Sequence, residues 1–171
     1  MGKKARELVK NAGLDIDKLI DLLNKAYCDE WLAYYQYWIG AKVVTGIPRS
    51  ALAPEMKEHA ADELKHAGIL ADRIIELGGT PAIDPEEWKK LSTCGYLAPQ
   101  DPGLDAVLEQ NIQAERCAIA VYAQILDYVR GKDMVTANTV RKIMQDEMEH
   151  EQDLEDIQED IENFKRGCGK K

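Results

Sequence analysis

A Glu-x-x-His motif occurs twice in this chain of 171 residues, first at Glu63–His66 and again at Glu147–His150. Residues three positions apart lie on the same side of an α-helix, so each motif presents a carboxylate and an imidazole to one point. A lone glutamate precedes each motif, and corresponding members of the two sets are 84 or 85 positions apart. The chain therefore contains two copies of one set of three potential metal ligands: Glu30, Glu63 and His66, then Glu115, Glu147 and His150.

Two glycines predict how these sets are brought together. In an antiparallel helical hairpin, residues equidistant from the turn lie at the same height. The midpoint between the first two glutamates falls at Gly46, and that between the second two falls at Gly131. Glycine ends helices by adopting the left-handed conformation. The simpler reading, four solvated helix glutamates, does not explain why ligand spacing and turn positions agree.

The apolar periodicity predicts an all-α protein, a four-helix bundle with a long crossover between the second and third helices. The predicted helices span about 15–45, 51–77, 101–130 and 135–164. The crossover, about 80–101, is long for an ordinary connection and contains Pro85–Trp88 as a short helical turn. We expect one domain over residues 1–171, with its core at about 15–164 and loose ends, the first dozen residues forming an arm outside the bundle.

Composition limits the possible functions. The net charge of −9 argues against a general nucleic-acid binder, so DNA binding is not expected, and it suits a protein that attracts cations. The sequence has neither a signal peptide nor an apolar run of membrane length, which predicts a cytoplasmic protein without membrane contact. Four cysteines without any Cys-x-x-Cys form neither a zinc nor a rubredoxin pattern.

Six converging carboxylate and imidazole side chains suit a pair of first-row metal ions, and iron fits this ligand set best. Four buried carboxylates would repel one another, and two divalent ions would cancel their charge. Glu30 also interrupts an apolar stripe, which is costly unless a cation pairs with it.

Three further residues lie at helical spacing from the predicted ligands. Tyr37 and Tyr122 each follow a lone glutamate by seven positions and could hydrogen-bond the carboxylates from the opposite helix, or simply fill the core. His59 precedes Glu63 by four positions on the same face. Three interpretations are open: a core histidine whose ring nitrogens are hydrogen-bonded, a residue that supports a ligand from behind, or an additional ligand.

The ligand motifs resemble those of the ferritin-like superfamily over about 15–164. Similarity to bacterioferritin rests on these segments: Glu30, Gln36-Tyr37, Asp62–His66, Glu115 and Asp146–His150. Leu64 stands where bacterioferritins have the haem-ligating methionine, so no haem is expected. The short loops, the lack of a fifth helix, and cysteines in Ser92–Cys94 and Ala114–Cys117 are more similar to Dps-like thioferritins.

This resemblance implies a di-iron ferroxidase in a hollow dodecameric shell. Such a protein oxidises Fe(II), preferably with hydrogen peroxide and otherwise with oxygen, and stores the ferric product as a defence against oxidative stress. The resemblance also implies a disulfide between Cys94 and Cys117, which would pin the crossover or pass electrons from a cellular thiol towards the iron. From the residues alone, the alternative of two buried thiols stays open. Cys28 and Cys168 have no predicted role.

Two other functions compete with a storage ferroxidase. A rubrerythrin-like peroxidase would need an electron-donating rubredoxin or iron–sulfur module, against which the missing Cys-x-x-Cys argues. A bundle that binds zinc or iron without turnover is left open, because ligands alone do not show redox cycling.

Overall fold

The computed structural model describes residues 3–168, and it confirms the all-α prediction. No strand forms within these residues, apart from an isolated bridge between Thr45 and Gly103. The four long helices form the predicted bundle, and the crossover between the second and third of them contains a short helix. The helices are α1 (Lys3–Asn11), α2 (Ile16–Val43), α3 (Arg49–Glu76), α4 (Pro85–Leu91), α5 (Leu104–Val129) and α6 (Met134–Cys168).

Local sequence signals explain where the bundle helices begin and turn. The side chain of Asp15 caps α2 by accepting hydrogen bonds from the backbone N–H groups of Asp17 and Lys18. Gly46, between α2 and α3, has a φ of +110°, and Gly131, between α5 and α6, has a φ of +70°. Residues with a Cβ rarely adopt such angles, so both predicted turn glycines are required by the backbone.

Three boundaries differ from the sequence-based expectation. α5 begins at Leu104, not at Asp101-Pro102, because the carbonyl of Pro102 accepts a 2.8 Å hydrogen bond from Thr45 N and stays extended. Residues 3–11, expected as a loose arm, form α1, and its Val9 is buried against the bundle. α6 continues past Phe164 to Cys168, and Lys165 pairs with a carboxylate on α5. Residues 169–171 lie outside the described part.

Polar side chains of α2 hold the crossover against the bundle. The carboxylate of Asp29 accepts a 2.9 Å hydrogen bond from Cys94 N, and the amide oxygen of Gln36 accepts one of 2.9 Å from Leu97 N. These bonds satisfy backbone donors that a long connection would otherwise leave unpaired. The crossover is therefore fixed in position at the height of Cys94.

The hydrophobic core is divided into two clusters. One contains Leu19, Leu23 and Ile125, and the other contains Leu52 and Leu108 at the opposite end of the bundle. Between the clusters lies a layer of buried charged side chains. Among residues 3–168, none of the helices is long and apolar enough to cross a membrane.

Candidate metal centre

The structure brings all six sequence-predicted ligands together in this charged layer, where each is buried. Their donor atoms form two groups, each with all members within 4.8 Å of one another. Glu63 and Glu147 belong to both groups. The first group is Glu30, Glu63, His66 and Glu147, and the second is Glu63, Glu115, Glu147 and His150.

The two imidazoles face the glutamates through the same ring atom. Nδ1 of His66 lies 2.9 Å from Oε1 of Glu147 and 3.3 Å from Oε2 of Glu63. Nδ1 of His150 lies 3.4 Å from Oε1 of Glu63 and 3.6 Å from Oε2 of Glu147. The site therefore has approximate internal two-fold symmetry, as the repeated sequence pattern predicts.

Two aspartates on the far side of these rings had no role assigned from sequence. Oδ2 of Asp146 lies 3.2 Å from Nε2 of His66, and Oδ2 of Asp62 lies 3.7 Å from Nε2 of His150. A carboxylate behind a histidine fixes which nitrogen carries the proton and directs the other towards a metal. The signal for both was present in the sequence, because they immediately precede Glu63 and Glu147 and are also 84 positions apart.

The two tyrosines bond to carboxylates across the bundle. Tyr37 on α2 donates a hydrogen bond to Oε1 of Glu115 on α5, and Tyr122 on α5 donates one to Oε1 of Glu30 on α2. Both tyrosines are buried, so each hydroxyl needs such a partner. Each tyrosine therefore orients the lone glutamate of the other hairpin in addition to filling space in the core.

Burial and crowding of like charges determine how protons are distributed in the metal-free site. Burial, together with the charges of Glu147 and Glu63, raises the pKa of Glu30 and of Glu115 well above the usual value. Burial opposes a charged imidazole at position 150, but the nearby carboxylates of Glu147 and Glu63 outweigh it and raise the pKa of His150 to about 10. The histidines thus act as the cations of the metal-free layer.

The donor set fits metal ions better than it fits protons. Several buried donor atoms have no hydrogen-bond partner among the described residues: Glu30 Oε2, Glu63 Oε1, Glu147 Oε1 and His150 Nδ1. Buried polar atoms in native proteins are normally paired. All four point into the layer, where two divalent cations would satisfy them and neutralise the carboxylates.

His59 is buried, but it is not a core histidine whose ring nitrogens are hydrogen-bonded to the protein. It is 1% exposed, and its ring stacks on that of His150 with centroids 4.0 Å apart. Neither ring nitrogen makes a hydrogen bond with any residue in the described part of the chain. Burial, reinforced by the charge of His150, lowers the pKa of His59 to about 4, so its imidazole is neutral at pH 7.

A disulfide joins Cys94 of the crossover to Cys117 of α5, with the Cα atoms 5.7 Å apart, which is the pairing that the resemblance implied. Cys94 lines a cavity of about 20 Å³, which four of the predicted ligands also line: Glu30, Glu63, Glu115 and Glu147. Cys28 is a buried free thiol whose pKa burial raises to about 12. The side chain of Cys168 lies outside the described part.

Comparison with known proteins agrees with this geometry. The DNA protection during starvation protein from Pyrococcus furiosus is 35% identical, and the match covers 92% of this chain and 85% of that protein. The solved structure of a dodecameric thioferritin, the bacterioferritin-related protein from Bacteroides fragilis, superposes with a TM-score of 0.95 at 44% identity. That match covers 97% of this chain and 98% of the other.

A solved bacterioferritin from Desulfovibrio desulfuricans, described as having a diiron site, matches at 30% identity with a TM-score of 0.74. It covers 86% of this chain and 82% of its own. The family model for the ferritin-like domain matches residues 20–164, which include all six predicted ligands. The chain therefore belongs to the ferritin-like family.

Proposed function

We propose that this chain is a ferroxidase subunit that binds two Fe(II) ions in the charged layer and oxidises them together. One observation carries the proposal: Glu63 and Glu147 each belong to both groups of four donor atoms. Two cations held in these groups would share two bridging carboxylates, and paired sites of this kind place metal ions about 3.5–4 Å apart. The six ligands are Glu30, Glu63, His66, Glu115, Glu147 and His150.

Pairing the ions determines the chemistry that we propose. Two Fe(II) ions give up one electron each, and one hydrogen peroxide with two protons becomes two waters. Because both electrons arrive together, no hydroxyl radical is released. Hydrogen peroxide is the proposed oxidant, with oxygen as the alternative. The centre that we propose contains no haem, since Leu64 offers no thioether.

The protein's own residues bind and orient in this proposal. Asp146 lies within hydrogen-bond range of Nε2 of His66, and Asp62 faces Nε2 of His150 at 3.7 Å, so both favour the tautomer whose Nδ1 is free to bind metal. Tyr37 and Tyr122 keep Glu115 and Glu30, respectively, in place. The surrounding apolar clusters exclude bulk water, which strengthens every electrostatic interaction in the layer.

Storage of the ferric product in a hollow shell of twelve subunits completes the proposal, with a role in oxidative-stress defence in the cytoplasm. Its support is the similarity to a dodecameric thioferritin over 97% of this chain. The net charge of −9 would steer Fe(II) towards and through such a shell. Light scattering on the purified protein tests the assembly. Monomers or dimers alone would remove storage from the function.

Anaerobic loading with Fe(II), followed by a pulse of hydrogen peroxide or oxygen, tests the activity. We expect rapid growth of ferric absorbance and retention of the ferric product with the assembly on gel filtration. A bundle that binds metal without turnover would take up Fe(II) but oxidise it no faster than free Fe(II) in buffer. A rubrerythrin-like peroxidase would require a separate electron donor for each turnover.

A further inference from the structure

An acidic pocket opens between α3 and α6 beside the layer of six predicted ligands, and it shares His150 with that layer. It has a volume of about 230 Å³. Carboxylates surround two imidazoles there, and no lysine or arginine is among the residues that line it. The lining is Glu55, Glu58, His59, Asp62, Asp146, Glu149, His150 and Asp153. A concave surface with one sign of charge concentrates cations.

The floor of this pocket contains a buried side chain without a partner. His59 is 1% exposed, and its two ring nitrogens lack hydrogen bonds to the rest of residues 3–168. Leaving a buried nitrogen unpaired is costly, so such a group usually has a ligand or an ordered water. Nε2 of His59 faces two carboxylates, lying 3.4 Å from Oε1 of Glu55 and 3.7 Å from Oδ2 of Asp153.

These separations match those between ligands that share one small cation. Nitrogen and oxygen ligands lie about 2.1 Å from a first-row divalent ion, so a near-tetrahedral pair is about 3.4 Å apart. The donor atoms of Glu55, His59 and Asp153 all lie within 4.8 Å of one another. One imidazole, two carboxylates and a water would complete four-coordination.

His59 also connects this group with the six-ligand layer. Its ring stacks on that of His150, and one donor atom each of His59, Glu115 and His150 lie within 4.8 Å of one another. We propose that Glu55, His59 and Asp153 form a third site for a first-row divalent cation, and that this site delivers Fe(II) to the layer. The delivery rests on the proposed ferroxidase function, whereas the cation site does not.

Binding of Co(II) without oxygen tests the site independently of iron oxidation. The informative variant is the double substitution Glu55→Gln/Asp153→Asn. Its control, Glu159→Gln/Asp160→Asn, removes the same charge from exposed positions on α6. We expect three Co(II) per subunit for the wild type and the control, and two for the double variant. Equal Co(II) binding by the double variant and its control would overturn the site.

Two further measurements separate this proposal from the ferroxidase proposal. Glu63→Ala should lose Co(II) from the six-ligand layer but retain the third ion, and anomalous scattering from Co(II)-soaked crystals should show that ion beside Nε2 of His59. With limiting Fe(II), we expect the double variant to oxidise iron about tenfold more slowly, within the range of electrostatic steering. An unchanged rate at limiting Fe(II) would overturn the delivery role.

Discussion

Asp146 on α6 lies 3.2 Å from Nε2 of His66 on α3, so this imidazole has carboxylates on both sides. If Asp146 fixes the ring for metal binding, Asp146→Ala should weaken Co(II) binding by the six predicted ligands by about tenfold. This is the lower end of the 10- to 100-fold effects of residues that orient a metal ligand, because Asp146 is half exposed. Asp146→Asn retains an acceptor and should lose less. Isothermal titration measures both, with the exposed Asp72→Ala as the control. Equal affinity in all three variants would exclude the orienting role.

Replacing Glu63 by alanine should abolish fast iron oxidation, because Glu63 is shared by both groups of donor atoms. We expect a loss of more than about a hundredfold, which exceeds the 10- to 100-fold effects of residues that only orient ligands. Stopped-flow absorbance after peroxide addition measures the rate, and circular dichroism checks the helical content. Glu159→Ala, on the exposed face of α6, serves as the control. A wild-type rate in Glu63→Ala would show that the site assignment is wrong.

Metal binding should release protons. In the metal-free layer the pKa of His150 is raised to about 10, so its imidazole keeps a proton at pH 7. The stabilisation from this charged form is complete below pH 6.5 and is lost as the pH rises through about 10. Over the same range metal affinity should increase, about tenfold per pH unit for each displaced proton. Titrations in buffers of different ionisation enthalpy measure the release, and buffer-independent heats would contradict it.

The buried pair of Arg73 and Asp133 should contribute strongly to stability. Arg73 Nη2 lies 2.8 Å from Asp133 Oδ2, and both side chains are almost fully buried. Asp133→Asn should destabilise the fold by about 1.5–3 kcal/mol, because the buried guanidinium loses a charged partner and keeps only Glu76 and Thr136. The exposed pair of Arg130 and Asp127 is the control, and Asp127→Asn should cost less than about 1 kcal/mol. Urea unfolding at pH 7 compares the two variants.

The contribution of the Arg73–Asp133 pair to the free energy of unfolding should decrease at low pH. Burial alone would raise the pKa of Asp133, but hydrogen bonds from Thr136 and Arg73 outweigh it and hold the pKa below 3.8. Its contribution is therefore present above pH 3.8 and is lost as the pH falls through the lower folded-state pKa. The difference in unfolding free energy between wild type and Asp133→Asn should shrink in strong acid. A difference that stays constant from pH 7 into that range would argue against this linkage.

Peptide mapping of unreduced, denatured protein should separate the cysteines by their reactivity. Cys94 and Cys117 should be alkylated only after reduction, because the structure joins them in a disulfide. Cys28 is buried but free, so it should react as soon as the chain is unfolded. Alkylation of both Cys94 and Cys117 without reductant, after mild oxidation of the protein, would end the idea of a pair.

The helices and the convergence of the six candidate ligands could be predicted, because periodicity and a repeated motif are local signals. The start of α5 could not, since Pro102 stays extended through a contact with Thr45, 57 positions earlier in the chain. α1 was missed because Val9 is its one buried residue, which is too little for a periodic pattern. Asp62 and Asp146 are also 84 positions apart, but the residues around them are polar, so no apolar periodicity indicated that they face the site.

The division of each donor group between the two hairpins has a further consequence. His66 and Glu63 come from the first hairpin but share their group with Glu147 of the second, and the other group is divided in the opposite sense. A cation in either group would therefore bind one half of the chain to the other, across the seam where the hairpins meet. Under the proposed function, binding and release of Fe(II) would strengthen and weaken the contact between the hairpins, so the bound ions would also hold the two halves of the chain together.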